Sequence, residues 1–446
     1  MTSADTLRTH ARAIWQAAVD AARPQMLMAE TFTSSTSPVT DALGKAKRIL
    51  VVGAGKAGTA MAQAVEEQLS DSLDRVEGVV NVPDDPAGLP PLQRIRLNKA
   101  RPAGTNQPTA EGVAGTEAMM QLLSNAQPDD VALCLLSGGG SALLPAPVQG
   151  ITLQDKQQVT LLLHQCGATI NQMNCVRKHL SAVKGGRLAQ AFTGKALFSL
   201  IISDVIGDPL DVIASGPTAA DPSTFADAYD VFTKFDLLDR IPVAVKNYLQ
   251  KGMNGDIPDT PKSMPVDVHN LLLGNNAKSL ATAEAKAREL GYPVLNLGSF
   301  IEGETREVAI SLAGIVRAIR EQGVPVSSPV CVLSGGETTV TLCDNHGLGG
   351  RNQEMVLAML VKLKQAGLNR CVLLSGGTDG EDGPTDAAGA CGDADTLERA
   401  QALGLNATDY LVRNDAYHFF DRTGDLLKTG LTNTNVMDVR VFLLAE

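Results

Sequence analysis

Short apolar runs alternate along the chain with longer stretches whose apolar residues recur at helical spacing. Residues 49–52, 76–82, 131–136 and 196–202 are rich in apolar and β-branched side chains and predict strands. Residues 56–69, 109–123, 153–166 and 172–192 carry the helical period. Near-continuous apolar strands alternating with helices predict a mainly parallel sheet covered on both faces. Helical stretches at 224–235 and 242–249 follow. Residues 250–265 then bring three prolines and two glycines without an apolar period, the composition of a linker. Beyond them the alternation resumes, with strands at 268–273, 294–297, 330–333, 371–374 and 439–444 and helices at 278–290, 304–322 and 351–365. The expected architecture is two α/β domains, residues 1–249 and 266–446, each built on a mainly parallel sheet. The 250–265 linker would hinge a cleft between them that closes on ligand.

Glycine collects at the ends of these strands. Leu136-Ser137-Gly138-Gly139-Gly140, Leu333-Ser334-Gly335-Gly336-Glu337 and Leu374-Ser375-Gly376-Gly377-Thr378 each follow an apolar run, and Val52-Gly53-Ala54-Gly55-Lys56 is a looser fourth. A missing Cβ lets a ligand approach the backbone. In parallel α/β sheets, ligands sit outside the carboxyl ends of the strands. Four such tips in one chain predict an anion or phosphate site drawing on both domains.

Composition narrows the choice. The 446 residues suit two or three domains. With 38 Lys and Arg against 49 Asp and Glu, the net charge of −11 argues against a general nucleic-acid binder, which needs a basic face. Small anionic substrates remain open, because they respond to local charge. The apolar runs fall far short of the ~18 residues of a membrane span. The start Met1-Thr2-Ser3-Ala4-Asp5 has neither the basic region nor the apolar core of a signal peptide. Seven scattered cysteines without a C-x-x-C pair predict free thiols in a reducing cytoplasm.

Several motifs could carry chemistry. Gly53-Ala54-Gly55-Lys56-Ala57-Gly58 matches G-x-G-x-x-G between a strand and a helix, and Asp84 lies where a dinucleotide reading wants an acid. Lys56 inside the loop points instead to a phosphate contact, or to a plain helix-start lysine. The stretch from Asn174 to Arg187 is the densest basic cluster, with Arg177, Ser181 and Lys184 at helical spacing and the Gly185-Gly186 pair interrupting the period. Asp204 stands just past an apolar strand, ahead of Ser215-Gly216, where a carboxylate suits Mg²⁺ binding or general-base work, or caps a turn. Asp379 to Asp386 form an acidic stretch that lacks the terminal glutamate of an EF-hand. Arg351, followed by Asn352, opens a helix after two glycines and can aim its planar fork at a phosphate or carboxylate.

These residues together resemble the glycerate 2-kinases of the MOFRL type. The similarity is carried by GAGKAG around Gly55, LSGGGSALLPAP from Leu136, NCVRKHLSAVKGGRLA from Asn174, and SDVIGDPLDVIASGPT from Ser203. It continues through LSGGETTVT from Leu333, GGRNQE from Gly349, SGGTDGEDGPTDAAGA from Ser375 and TGLTNTNVMDVRVFLL from Thr429. The resemblance runs over nearly the whole chain. It implies a Rossmann-like N-terminal domain, a smaller MOFRL-type C-terminal domain, and ATP- and Mg²⁺-dependent phosphorylation of D-glycerate at its 2-hydroxyl. Lys56 and Arg351 fall at that family's catalytic positions. Expected roles follow. Lys56 with Lys184 or Arg177 neutralises phosphate oxygens. Gly53, Gly55 and the Ser137, Gly138, Gly139, Gly140, Ser141 run supply backbone amides. Asn174, Gly185, Gly186, Ser215, Gly216, Glu337 and Asn352 complete the binding set. Asp204, Asp379 and Asp386 are the metal candidates, and Arg351 takes the glycerate carboxylate or the transferring phosphoryl. Members of the family also carry the label hydroxypyruvate reductase, so an NAD(P)-dependent dehydrogenase is the alternative. A homo-oligomer is compatible with all of this; a nucleic-acid or membrane partner is not expected.

Overall fold

The computed structural model describes residues 3–34, 36–84, 91–102, 107–264 and 267–446. They form two compact units, Pro24–Leu273 and a second made of Met1–Arg23 with Gly274–Glu446.

The first unit is built on β1 (Ile49–Ala54), β2 (Val76–Asp84), β3 (Ile95–Pro102), β4 (Val131–Leu136), β5 (Ala196–Ile202) and β6 (Asp267–Gly274), in the order β3-β2-β1-β4-β5-β6. The pairings β3/β2, β2/β1, β1/β4 and β4/β5 are parallel, and β1, β4 and β5 are buried along their whole length. This is the order of a doubly wound sheet, which reverses direction between β1 and β4. Beside it lies a helical layer with its own apolar cluster around Leu163, Val176, Phe225 and Phe232. Its helices Leu153–Gln165, Ile170–His179 and Phe225–Lys234 each open on a capping box, Thr152/Asp155, Thr169/Gln172 and Thr224/Asp227.

Two sequence expectations fail here for identifiable reasons. Residues 172–192 are not one helix. The first part ends at His179, Gly185 and Gly186 take φ of +58° and +83°, and a single further turn runs Arg187–Gln190. Residues 250–265 are not a linker. The helix Val243–Met253 runs into them, and the chain beyond is tied to the first unit. Asp259 holds His179 Nε2 at 2.8 Å, Thr260 Oγ1 donates to Asp221 at 3.0 Å, and the Asp221 amide donates to Pro261 O at 2.9 Å. Proline and glycine mark irregular chain, and irregular chain can still be bonded throughout. Pro265 lies outside the described residues. The chain passes between units at Arg23/Pro24 and at Leu273/Gly274.

The second unit carries β7 (Val294–Asn296), β8 (Gly303–Glu304), β9 (Val330–Gly336), β10 (Thr338–Thr339), β11 (Cys371–Gly377), β12 (Gly389–Gly392), β13 (Leu426–Leu427) and β14 (Asp438–Leu444). Its main sheet has the order β13-β12-β11-β14-β9-β7. The expectation of a mainly parallel sheet is corrected for this unit: β7/β9 is parallel, but β14 runs antiparallel to both β9 and β11, as do β12/β11 and β13/β12. The continuous apolar runs have another origin than parallel pairing. Helices cover both faces, with Ala4–Ala21 and Asn276–Glu289 on one and Thr305–Gln322 and Arg351–Leu368 on the other. The first helix thus belongs with the C-terminal residues. Trp15 Nε1 donates to Gly376 O at 3.1 Å, and Arg8 reaches Asp425 at 2.7 Å.

Candidate active site

The carboxyl ends of β1 and β4 meet where the strand order reverses, and the loops there interlock. The Gly55 amide donates to Asn81 O at 3.3 Å, Lys56 to Gly138 O at 2.8 Å, Ala57 to Ser137 Oγ at 3.0 Å, and Gly58 to Gly55 O at 3.1 Å. A Cβ on Gly53 would stand 2.1 Å from Leu135 O, and one on Gly55 1.9 Å from Ser137 Oγ. These glycines therefore serve the close passage of the β4 end, and the amides that a pyrophosphate would need are already bonded. Asp84 forms an ion pair with Lys99 at 2.7 Å. The G-x-G-x-x-G loop departs from the expectation that Gly53 and Gly55 offer amides to a ligand. It presents the exposed side chain of Lys56, whose Cγ lies 3.5 Å from where a Gly139 Cβ would be.

A cavity of about 280 Å³ opens beside the β4 tip. Ser137, Gly139, Gly140 and Ser141 line it from the tip, Asn174 and Arg177 from the helix Ile170–His179, Asp204 from the end of β5, and Lys184 and Lys156 complete it. The amides of Gly138 and Gly139 have no acceptor among the described residues. Arg177 and Lys184 reach the cavity although no common helix carries them, since the helix stops before Ser181. Lys184 is a strut. Its Nζ donates to Ser141 O at 2.9 Å and Ala214 O at 3.2 Å and lies 3.0 Å from Ser141 Oγ. Burial, and then the nearby Lys156 and Arg177, push its pKa well below the usual lysine range. Ser215 Oγ, 3.0 Å from Ser141 Oγ, donates to Asn174 Oδ1 at 3.1 Å. These bonds hold Ala214 and Ser215 at φ of +51° and +61°, a strained pair bordering the cavity. Gly185 and Gly186 donate to Ser215 O and Gly216 O at 3.0 and 2.7 Å. Their amides, too, are engaged within the protein, so this glycine pair shapes the cavity wall rather than facing a ligand. Lys184→Met should strand the Ser141 and Ala214 carbonyls. A loss of about 1–3 kcal/mol is expected, read from the urea midpoint at unchanged slope.

Two cations of this site went unrecognised in the sequence. Lys156 sits on the helix Leu153–Gln165 among polar neighbours and looks like a surface lysine. Yet it shares the helix face of Val159 and Leu163, both buried, and that spacing was the available signal. Its Nζ is buried with no hydrogen-bond partner among the described residues. Burial, followed by Arg177 and Arg187, lowers its pKa to about 7. Arg101 lies on β3, a strand the apolar pattern did not reveal. It is buried, its Nε has no partner among the described residues, and one Nη stands 3.3 Å from where a Gly139 Cβ would be.

The second unit gathers another group. The helix Arg351–Leu368 starts at Gly350, which has no side chain to cap it. Asp382 does so instead, accepting from the amides of Asn352 at 3.0 Å and Gln353 at 2.8 Å. A Cβ on Gly350 would stand 2.4 Å from Asp382, which accounts for the glycine. Burial raises the Asp382 pKa to about 7, against the pull of those two amides. Arg351 Nε and Nη2 donate to the two oxygens of buried Asp438 at 2.7 and 3.0 Å, and its Nη1 lies 3.0 Å from Glu337. Asn352 Nδ2 donates to Asp438 at 2.8 Å, and Asn352 Oδ1 accepts from Ser375 Oγ at 2.6 Å. Glu337, Arg351 and Asn352 are thus brought together at the ends of β9, β11 and β14. Asp379, half-buried, accepts the Glu381 amide at 3.2 Å. Asp386 is exposed and already committed to Lys428 at 3.0 Å and the Tyr417 hydroxyl at 2.7 Å, so it departs from the expectation of a metal ligand.

Residues 10–250 match a family described as a domain of unknown function, DUF4147, and residues 330–438 match the MOFRL family. A glycerate 2-kinase from Pyrococcus horikoshii is 36% identical over 90% of this chain and 88% of that protein. The chain belongs to the glycerate 2-kinase family of the MOFRL type. Among solved structures, a glycerate kinase from Thermotoga maritima superposes with a TM-score of 0.87 at 34% identity, covering 99% of this chain and all of that one. A relative from Agrobacterium vitis, 41% identical over 89% of this chain and 87% of its own, carries the provisional name hydroxypyruvate reductase. For a member of this glycerate 2-kinase family the engaged amides of Gly55 to Gly58 matter. A reductase would need that loop for its dinucleotide, and a kinase does not.

Proposed function

We propose that this chain transfers the γ-phosphoryl group of ATP to the 2-hydroxyl of D-glycerate, releasing 2-phospho-D-glycerate and ADP. The observation that carries the reading is the cavity beside β4, where Lys156, Arg177 and Lys184 line the wall with one carboxylate among the described residues, Asp204. Phosphoryl transfer between two anions asks for positioning and charge neutralisation rather than covalent chemistry. The glycerate hydroxyl oxygen forms the new P–O bond as the bond to ADP breaks, and the hydroxyl proton is lost to solvent. Lys56, at the lip of the Ser137–Ser141 loop, neutralises the transferring phosphoryl, and the amides of Gly138 and Gly139 offer fixed donors. Arg351, held at its planar fork by Asp438 and Glu337, is the basic group of the second unit at a position that the family resemblance marks as catalytic.

No three His, Cys, Asp or Glu side chains converge on a metal position among the described residues. Mg²⁺ asks for less, since one or two carboxylates with phosphate oxygens and waters suffice. Asp204 at the cavity wall fits that demand. When bound, Mg²⁺ supplies charge neutralisation on the nucleotide phosphates. Asp204→Asn is expected to raise the Mg²⁺ concentration for half-maximal rate and to lower the rate. An unchanged Mg²⁺ titration with a loss of about 1 kcal/mol in stability would make Asp204 a turn cap only.

The deciding experiment incubates the protein with D-glycerate and either ATP or NAD(P)⁺. Formation of ADP and 2-phosphoglycerate is expected in the first. Reduced nicotinamide in the second, without ADP in the first, would overturn the reading in favour of the dehydrogenase.

A further inference from the structure

Lys156 is the anomaly of the first unit. A lysine amine is rarely buried unless paired, and an unpaired buried polar group in a folded protein calls for an explanation. Here the side chain is nine-tenths buried, lines the cavity, and has no hydrogen-bond partner among the described residues. Its charged neighbours make the position worse, because Arg177 and Arg187 both bear positive charge. Lys184, the third lysine or arginine around the cavity, has its donors on Ser141 and Ala214 and cannot relieve it. Asp204 is the carboxylate among the described residues of the lining. The wall therefore concentrates more positive charge than it balances, and an anion is the group that completes it.

The size of the cavity limits which anion. At about 280 Å³ it falls below the ~300–1,000 Å³ of pockets that enclose drug-sized ligands. A three-carbon hydroxy acid fits that space, and a whole nucleoside triphosphate exceeds it. Resting on the kinase reading above, we propose that this cavity is the acceptor pocket and that Lys156, with Arg177, binds the carboxylate of the hydroxy acid. Asp204 and the Ser137–Ser141 loop line the same small space, so a carboxylate held at Lys156 leaves the remaining carbons and hydroxyls within reach of the β4 tip. Lys156 is then a specificity-determining residue: it admits 2-hydroxy acids and discriminates against neutral polyols of the same size, which leave its amine unpaired.

The test uses Lys156→Met, which keeps the length of the side chain and removes the charge, with Lys156→Gln as a second variant should the first fail to fold. The KM for D-glycerate is expected to rise about 30-fold, the scale of one charge-assisted hydrogen bond, while the KM for ATP stays within about threefold. Without ligand, the Met variant should melt at or above the wild-type temperature, because a buried unpaired amine has been removed. A residue needed only for folding would lower that temperature instead. Stabilisation of the wild type by D-glycerate alone, absent in the variant, gives a readout independent of turnover. An unchanged glycerate KM, or a loss confined to the ATP KM, would overturn the proposal and move the site to the nucleotide phosphates. Absence of any glycerate phosphorylation by the wild type would overturn the kinase reading itself, and the thermal shift with glycerate would still judge the pocket.

Discussion

Lys56→Ala is expected to fold with wild-type stability and to lose at least about a hundredfold in kcat/KM for D-glycerate. The stability half follows from placement. The side chain is exposed, and the bond from the amide of this residue to Gly138 O survives in alanine. Substitutions at such positions stay within about 0.5 kcal/mol. The rate half follows from chemistry. A preorganised charge placed where a phosphoryl group develops negative charge is worth about 10²–10³ in rate. Steady-state phosphorylation beside thermal melting checks both halves. A variant with near-normal turnover would remove Lys56 from the mechanism. A variant with a lowered melting temperature would show that its side chain holds the β1 loop together.

Much of the first unit was legible because its strands are short, apolar and punctuated by glycine. The runs at Val131–Leu136 and Ala196–Ile202 have the observed bounds. β3 escaped, because Ile95–Pro102 alternates charged and apolar residues and half of it faces outward. The direction of the second sheet could not be read from hydropathy. Strands buried on both faces look alike whichever way their neighbours run, and β14 enters between β9 and β11 from the far end of the chain. The grouping of Ala4–Ala21 with residues beyond 273 is a long-range fact of the same kind, fixed by contacts such as Arg8 with Asp393 and Asp425.

For the site, residue type and motif located the right loops but misjudged what each atom does. Gly53, Gly55, Gly185 and Gly186 lie at the site, yet serve close packing and sharp turns, with the amides of Gly55, Gly185 and Gly186 already engaged. Lys184 is at the cavity and is a strut. Lys156 and Arg101 were passed over because a lone lysine or arginine in a polar stretch reads as solvated surface. Only the third dimension reveals that both are buried, and that the Lys156 amine has no partner among the described residues.

Arg351 calls for a different expectation from Lys56, because the structure makes it part of a buried network. Its fork neutralises Asp438, which is fully buried and which also receives Asn352 and lies 3.4 Å from Arg440 Nη2. Arg351→Ala leaves that carboxylate facing Asp382 with one cation fewer. Breaking a buried pair from one side costs about 3–5 kcal/mol, and the partial exposure of Arg351 places the loss near the lower end. Lost activity in this variant alone would not separate a catalytic role from a structural one. The double variant Arg351→Met/Asp438→Asn does, because it removes both charges at similar volume and leaves no uncompensated carboxylate at 438. Its stability is expected to recover part of that loss, with buried Arg440 left short of its carboxylate neighbour. Its kcat/KM should remain at least about a hundredfold down, while Asp438→Asn alone keeps most of its activity because the arginine is still present. Arg351→Lys should recover little, since a point charge cannot occupy both Asp438 oxygens and still reach a phosphoryl group. Urea melts and steady-state kinetics on the four proteins decide the matter. Activity that returns together with stability in the double variant would make Arg351 a support for the β14 end and leave the transferring phosphoryl to Lys56.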